Sequence, residues 1–252
     1  MTWRTFLLSP AAVFGIAVLL PSALQGSRPN VVYAEAPIAV ISNGSLTPGR
    51  LAAISTRVMQ VMENRLDMRL KMDDLTVRLC RDEADYREAG GLGNTDACYL
   101  APTRILLRDK GGIGGDLAHE YAHALIKEQT HGTCPGWLEE GIINHENYAT
   151  PTGQYSPKTA ARLSAAIETV IAGPKLWSLN SLSEDAQQSR NMSDAFYGAA
   201  WSASDYLYRT YGRASVLKAV SAMSAENPDK ACRAVLGKDL AELERDWRES
   251  EN

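Results

Sequence analysis

The sequence of 252 residues has little of what marks the extreme classes of protein: only 7% of it is aromatic, and neither acidic nor basic residues form a long run. Its 45% hydrophobic and 22% charged residues are ordinary for a folded chain, which argues against a disordered, collagen-like or multi-span membrane protein. Thirty acidic against 26 basic side chains give a net charge of −4, so nucleic acid is not an expected partner. Histidine is scarce too, and all four histidines fall between positions 119 and 145.

Residues 1–26 have the composition of an export signal. Arg4 supplies a positive charge, residues 6–20 are mostly apolar, and small or helix-breaking residues follow at 21–23. The apolar stretch, about 15 residues long, is short for a membrane-spanning helix, which needs roughly 20. We therefore expect an exported protein, periplasmic or extracellular. Its leader is either a cleaved signal peptide or an uncleaved anchor that tethers the protein to the membrane through residues 6–20.

The four cysteines form an even set, and an exported protein meets an oxidising compartment. We expect a disulfide between Cys80 and Cys98, because each lies in or beside a strand-like run. That choice leaves a second disulfide between Cys134 and Cys232. The alternative is four buried thiols.

The pattern of apolar residues predicts an α+β fold in which residues 30–252 form one domain. Its front half, 30–115, is α/β, and its back half, 116–252, is helical. In the front half the spacing predicts strands at 38–42, 75–80 and 101–108 and a helix at 47–70. In the back half it predicts helices near 116–129, 136–148, 157–172, 192–211, 213–225 and 239–249. A glycine-rich loop at 111–115 joins the two halves.

The clearest chemical motif is His119-Glu120-Tyr121-Ala122-His123. Residues four apart lie on one face of a helix, so the two imidazoles can converge on one ion, a spacing that suits Zn²⁺. Glu120 lies about 100° round the axis, where it can reach a metal-bound water without binding the metal. We expect Asp116 to cap the start of this helix.

A second motif, Trp137-Leu138-Glu139-Glu140-Gly141, begins 14 residues after His123. A helix restarts there after Pro135-Gly136, with a carboxylate in its first turn. Gly141 has no side chain, so we expect it to let this helix approach the first helix closely. A carboxylate delivered there completes a His₂Glu set and leaves a fourth position for water, as in catalytic zinc sites.

Together the two motifs resemble those of the gluzincin branch of zinc metallopeptidases, the peptidase-MA-like families, in which HExxH is followed by a Trp-Leu-x-Glu-Gly helix. The resemblance implies that His119, His123 and Glu140 hold one Zn²⁺ per chain, that Glu120 is the general base and that Glu139 is not a ligand. It also implies a zincin-type fold, in which a small mixed sheet packs on the HExxH helix and a mainly helical C-terminal half follows. The resemblance covers about residues 100–250.

Four further positions have candidate roles. Tyr197 is a candidate donor to the oxyanion of the transition state, or else a packed helix tyrosine. Asn144, one turn beyond Glu140, either holds a ligand histidine in its tautomer or faces solvent. Arg104–Arg108 is expected as the sheet's edge strand, where an extended peptide can add, unless it is an interior strand. His145 stands where members of the resembled family often have an aromatic residue, which affects packing rather than the metal site.

The expected function is that of a zinc-dependent peptidase, which hydrolyses peptide bonds through a metal-bound water activated by Glu120. Its expected partners are one Zn²⁺ and a peptide or protein substrate. One alternative is an exported zinc hydrolase that acts on a non-peptide amide or ester. The other is a non-catalytic envelope protein that binds peptides.

Overall fold

The computed structural model describes residues 31–35, 38–92, 95–148 and 194–251. The strands are β1 (Val31–Glu35), β2 (Ile38–Ser42), β3 (Leu75–Cys80), β4 (Ala97–Leu100) and β5 (Arg104–Arg108). The helices are α1 (Pro48–Leu66), α2 (Glu83–Glu88), α3 (Gly114–Thr130), α4 (Gly136–Tyr148), α5 (Asp194–Tyr211), α6 (Arg213–Ala222), α7 (Pro228–Leu236) and α8 (Leu240–Ser250). The leader at 1–26 and the helix predicted at 157–172 lie outside the described residues. Within the described ranges, no helix is both long enough and apolar enough to cross a bilayer.

The strands form one mixed sheet in the order β1-β2-β3-β5-β4. Strands β2, β3 and β5 are parallel, and β1 and β4 run antiparallel at the two edges. The mixed sheet and the helices confirm the α+β prediction. The prediction that Arg104–Arg108 is the edge strand is wrong, because the short β4–β5 hairpin places β4 outside β5.

Alternation along the strands gives the sheet two different faces. Leu75, Val77 and Leu79 of β3 point into the main core, where helices α1 and α3 pack on the sheet. Cys80 points the other way, into a small second core that also contains Tyr86 of α2. The main core continues from the sheet through α3 and α4 to the C-terminal helices, so the site helices rest on both halves of the chain.

Helix α1 begins at a side-chain cap, whereas the cap predicted for α3 at Asp116 is wrong. Thr47 caps α1, since its side chain accepts a hydrogen bond from the Arg50 amide, and Pro48 follows as the first helical residue. Helix α3 instead begins at Gly114, after Ile113, which makes no side-chain capping bond. Asp116 therefore lies inside the first turn, where its charge still favours the helix dipole but does not cap it.

Gly141 permits a close helix approach, but to a different helix from the one predicted. A Cβ atom at Gly141 would lie 2.2 Å from the carbonyl oxygen of Ala200 and 2.0 Å from Ser204 Oγ, both on α5. The predicted neighbour was α3. A residue next to Glu140 points about 100° away from it around the helix, so when Glu140 faces α3 its neighbour faces another helix.

All four cysteines are free, buried thiols, so both predicted disulfides are absent from the structure. Cys80 and Cys98 lie on β3 and β4, and β5 runs between those strands. Two strand spacings alone separate their Cα atoms by roughly 9–10 Å, and the register offsets them by two residues along β5, whereas a disulfide needs less than about 7 Å. Cys134 and Cys232 are unbonded members of the main core. Burial raises the pKa of all four thiols, so they are protonated at neutral pH and fill the core as small apolar side chains.

Candidate active site

The structure brings His119, His123 and Glu140 together, as the two motifs predict. Helix α3 carries the two histidines one turn apart, and α4 packs against α3 so that Glu140 lies opposite them. The Nε2 atoms of the histidines are 3.2 Å apart. The carboxylate of Glu140 lies 3.4 Å from the Nε2 of His119 and 3.3 Å from the Nε2 of His123.

These three distances fit a tetrahedral metal ion. Four ligands at the usual zinc bond lengths lie about 3.3–3.6 Å from one another, so the donor atoms already stand close to the required spacing. The Oε2 atom of Glu140 is buried and has no hydrogen-bond partner among the described residues. A buried carboxylate oxygen is costly to leave unsatisfied, and a cation held between the three side chains would satisfy it. The donor set, two imidazoles and one carboxylate, is the one that open catalytic zinc sites use.

Charge couples the three side chains even without a metal. Burial alone would lower the pKa of His123, but the carboxylates of Glu140 and Glu139 outweigh it and hold that pKa well above its ordinary value. Burial would likewise raise the pKa of Glu140, and the nearby imidazoles of His123 and His119 lower it instead. The carboxylate is therefore ionised, as a metal ligand must be.

Glu139 holds His123 from the side away from the cluster. Its Oε1 atom lies 2.6 Å from His123 Nδ1. A carboxylate only accepts, so Nδ1 donates this hydrogen bond and Nε2 is left to face the other ligands. Lys127 lies 3.6 Å from the second oxygen of Glu139. That Glu139 is not a metal ligand stays a prediction, and its contact with His123 was missed.

Glu120 lies beside the ligand cluster and is 8% exposed. Burial raises its pKa and outweighs the nearby imidazoles of His123 and His119, which lower it, so the carboxylate is a stronger base than an exposed glutamate. The backbone of Tyr99, on the edge strand β4, is close enough to lower the same pKa slightly. The predicted base therefore lies beside the edge strand.

The two positions predicted with less evidence have different outcomes. Asn144 is buried, but the hydrogen bond at His123 Nδ1 goes to Glu139, and His119 Nδ1 has no partner among the described residues. The structure thus contains no bond from Asn144 to the outer nitrogen of either ligand histidine. Tyr197 lies on α5, half-buried, with its ring edge-on to Phe196 at 5.6 Å between centroids. Its role as an oxyanion donor stays a prediction.

His145 packs as an aromatic side chain between α4 and α5. Its ring stacks on Trp201 with an interplanar angle of 7° and a centroid distance of 5.3 Å. Its Nε2 atom lies 3.7 Å from Asp205. Burial lowers the pKa of His145 to about 4, so the ring is neutral at pH 7. The departure from the aromatic pattern therefore preserves the packing between α4 and α5.

Comparison with known proteins places this arrangement in a family. The model of the Peptidase MA superfamily matches residues 108–251, which is more than half of the chain. The chain belongs to the Peptidase MA superfamily. The match includes all three candidate ligands and Glu120, whereas strands β1 to β4, and β5 except for its last residue, precede it. No curated protein matches the chain. At this level the protein is of peptidase type, and the superfamily is typically zinc-dependent, in keeping with the His₂Glu cluster.

Proposed function

We propose that the protein is an exported, zinc-dependent peptidase of gluzincin type that hydrolyses peptide bonds with Glu120 as general base. The observation that carries the proposal is the convergence of His119, His123 and Glu140 at tetrahedral spacing, with the buried carboxylate of Glu120 beside them. A pure binding protein has no need of a buried base at this position. That argument favours hydrolysis over a non-catalytic role.

Each residue of the site has one proposed chemical role. His119, His123 and Glu140 would hold the zinc ion, which when bound supplies Lewis acidity that lowers the pKa of a coordinated water towards about 7 and polarises a carbonyl. Glu120 takes the proton from the attacking water and returns it to the leaving amine. Its raised pKa favours the first step, because a carboxylate with a raised pKa is a stronger base than an ordinary glutamate.

The edge strand offers a place for an extended substrate. Arg108 donates its backbone N–H to the carbonyl of Asp96 at 2.8 Å, which fixes the hydrogen-bonded register of the β4–β5 pair. By the alternation of an antiparallel ladder, the backbone groups of Ala97 and Tyr99 point away from β5, towards the side of β4 on which no described strand pairs. A peptide that adds to this edge would lie near Glu120, because the backbone of Tyr99 is close to that carboxylate. A peptide is therefore a better match than a compact amide or ester.

We further propose that the protein acts outside the cytoplasm. The support is the composition of residues 1–26, with a positive charge ahead of a short apolar run. If the leader is retained, residues 6–20 would tether the peptidase to the membrane. Determining the N-terminus of the protein recovered from expressing cells separates the cleaved form from the tethered one.

The function is tested with metal analysis and hydrolysis assays on the same preparations. We expect about one zinc per chain in both the wild type and Glu120→Gln, with hydrolysis of unfolded protein substrates only in the wild type. Zinc-loaded wild type that cleaves small amides or esters but no peptide would favour the non-peptide hydrolase. Zinc occupancy with no hydrolysis of either class would favour the binding protein, and loss of zinc from the variant would mean that Glu120 is misassigned.

A further inference from the structure

We propose that a pocket beyond His123 along α3 binds an aromatic side chain of the substrate, two or three residues from the scissile bond. The proposal rests on the proposed peptidase function, because it assigns a substrate class to the same site. The pocket has a volume of about 600 Å³, which is within the range of sites that enclose small ligands.

The pocket lies along the ridge of α3 that carries the metal ligands. His119, His123 and Lys127 follow one another at intervals of four residues, which puts them on one face of the helix, and Lys127 lines the pocket. Four helical residues span about 6 Å, so the pocket begins about one turn beyond His123. An extended substrate held at the ligand cluster can therefore reach it.

Apolar groups form the wall that faces α3. Met72, from the segment before β3, and Tyr99, Ala101 and Pro102, from the β4–β5 hairpin, all line the pocket. Hydrogen bonds hold two of them in place. The carboxylate of Glu128 accepts the backbone N–H of Met72 at 2.6 Å, and the Tyr99 hydroxyl donates to the carbonyl of Pro102. A wall that is fixed before binding loses little freedom when a side chain enters.

The charges beside this wall compensate one another. Lys127 lies 3.6 Å from the carboxylate of Glu139, and Glu128 accepts the backbone N–H of Lys71 at 2.8 Å. The carboxylates of Glu128, Glu139 and Asp74 all act on the tyrosine of the wall, whereas the amines of Lys71 and Lys127 belong to the lining. Because the two signs are closely balanced, neither an anion nor a cation has a clear advantage there.

An aromatic ring matches the surface that is left. The side chains of Met72 and Tyr99 are only half-buried, so covering them is the main gain in free energy that the pocket offers. A thioether and a phenol ring both make favourable contacts with an aromatic ring, in addition to the gain from apolar burial. An aliphatic side chain would obtain the burial without these contacts.

The edge strand directs alternate substrate side chains towards the pocket. Cys98 faces the small second core, so Tyr99, the next residue of β4, faces the opposite side, where α3 packs. A substrate residue that pairs with Tyr99 would have its side chain on that same side, near Glu120. The next side chain to face α3 lies two residues further, roughly 7 Å along the peptide, in the direction of Ala101 and the pocket. We therefore expect the preference two or three residues from the scissile bond, on one side only.

The test compares matched peptides on the full-length, zinc-loaded protein. Fluorogenic peptides would carry Phe, Leu, Ala, Glu or Arg in turn at each of four positions on both sides of the cleavage site, and kcat/KM would be measured for each. We expect Phe to exceed Ala by about tenfold at one position, two or three residues from the cleaved bond, with Leu between them. High salt screens charges but does not weaken apolar burial, so this ratio should persist there. Equal rates for Phe and Ala at the second and third positions on both sides, or a faster Glu or Arg peptide at the preferred position, would overturn the proposal.

Two methionine variants locate the effect. Met72→Ala removes part of the apolar wall and should reduce the Phe-over-Ala ratio by about threefold. Met59→Ala removes a half-buried methionine from α1, outside the lining of the pocket, and should leave that ratio unchanged. The ratio does not depend on the folded fraction, because both peptides meet the same preparation. A ratio that is unchanged in Met72→Ala, or that falls equally in both variants, would contradict a local pocket.

Binding without turnover separates this proposal from the peptidase function. Zinc-loaded Glu120→Gln should bind a labelled Phe peptide about tenfold more tightly than the Ala peptide, as measured by fluorescence anisotropy. Equal affinities would overturn the aromatic preference whatever the activity. A clear preference in this assay, combined with no hydrolysis by the wild type, would overturn the proposed function and retain the pocket.

Discussion

Replacing Glu139 with Gln should weaken zinc binding although Glu139 is not a ligand. The variant keeps the shape of the side chain and removes the charge that holds His123 Nδ1 at 2.6 Å. Partners of this kind contribute about 10- to 100-fold to metal affinity, which is about 1.4–2.7 kcal/mol. The buried position of Glu139, 5% exposed, favours the upper part of that range because the bond is charge-assisted and shielded from water.

A second effect opposes this loss and depends on pH. In the metal-free protein the carboxylates of Glu140 and Glu139 keep the pKa of His123 well above its ordinary value, so zinc must displace a proton from His123. Removing the charge of Glu139 lowers that pKa and makes the displacement easier. The gain is present only below the His123 pKa of the metal-free protein. The net loss of zinc affinity in Glu139→Gln should therefore grow as the pH rises.

The measurement is a competition titration of zinc against a chelating dye, from about pH 6 to about pH 9, on the wild type and Glu139→Gln. Glu88→Gln removes an equal charge from the exposed end of α2, far in sequence from the site, and should bind zinc like the wild type. An unchanged dissociation constant at the upper end of the pH range would refute the orienting role. A loss that shrinks with rising pH would refute the proton competition.

Three further changes follow from other contacts. Tyr197→Phe should lower kcat and leave zinc content intact if the phenol stabilises the oxyanion, and unchanged turnover would remove Tyr197 from the mechanism. Gly141→Ala should destabilise the fold by about 2 kcal/mol or more in urea unfolding, because its Cβ would lie 2.2 Å from the backbone oxygen of Ala200; a stability equal to that of the wild type would mean that α4 and α5 separate readily. His145 has its pKa lowered to about 4 by burial, so below about pH 6.5 the unfolded chain binds the extra proton and stability falls with pH. Between about pH 7 and pH 5 the metal-free wild type should lose about 2 kcal/mol more than His145→Phe, which keeps an aromatic ring there, and parallel losses would contradict the assignment.

The parts of the site that the sequence predicts are those fixed within one helix. The spacing of His119 and His123 puts both rings on one face of the helix, whatever surrounds it. In the structure the Nε2 atoms of the two rings are 3.2 Å apart. Glu140 required the packing of a second helix, so its position in the cluster could be inferred only through the family resemblance. The sequence also contains helix-end signals that were not used to predict a helix after residue 225. Asn227, Pro228 and Gly237 cap, start and end α7, a helix that the periodicity did not predict.

The errors at Glu139, at Gly141 and at the sheet edge share one physical cause, which is that tertiary packing decides the partner of each residue and strand. Glu139, Glu140 and Gly141 are consecutive but have different partners. Glu139 contacts Nδ1 of His123, Glu140 lies in the ligand cluster, and Gly141 packs against α5. A helical rotation of about 100° per residue allows this, but the rotation of α4 about its own axis is set by tertiary packing. The order of strands in the sheet is tertiary information in the same sense, which is why β5 was taken for the edge.

The position of β4 at the edge changes what the sheet contributes to catalysis. An interior strand has its backbone groups occupied on both sides, whereas the N–H of Tyr99 points away from β5 and lies near Glu120. This proximity favours the ionised carboxylate and opposes the effect of burial, so the edge strand lowers the pKa of Glu120 slightly. Under the proposed function, a substrate that adds to β4 would compete with Glu120 for the N–H of Tyr99 and leave the carboxylate free to face the water that it would deprotonate. Binding of an extended peptide and activation of the base would then be one event, which a compact substrate could not trigger.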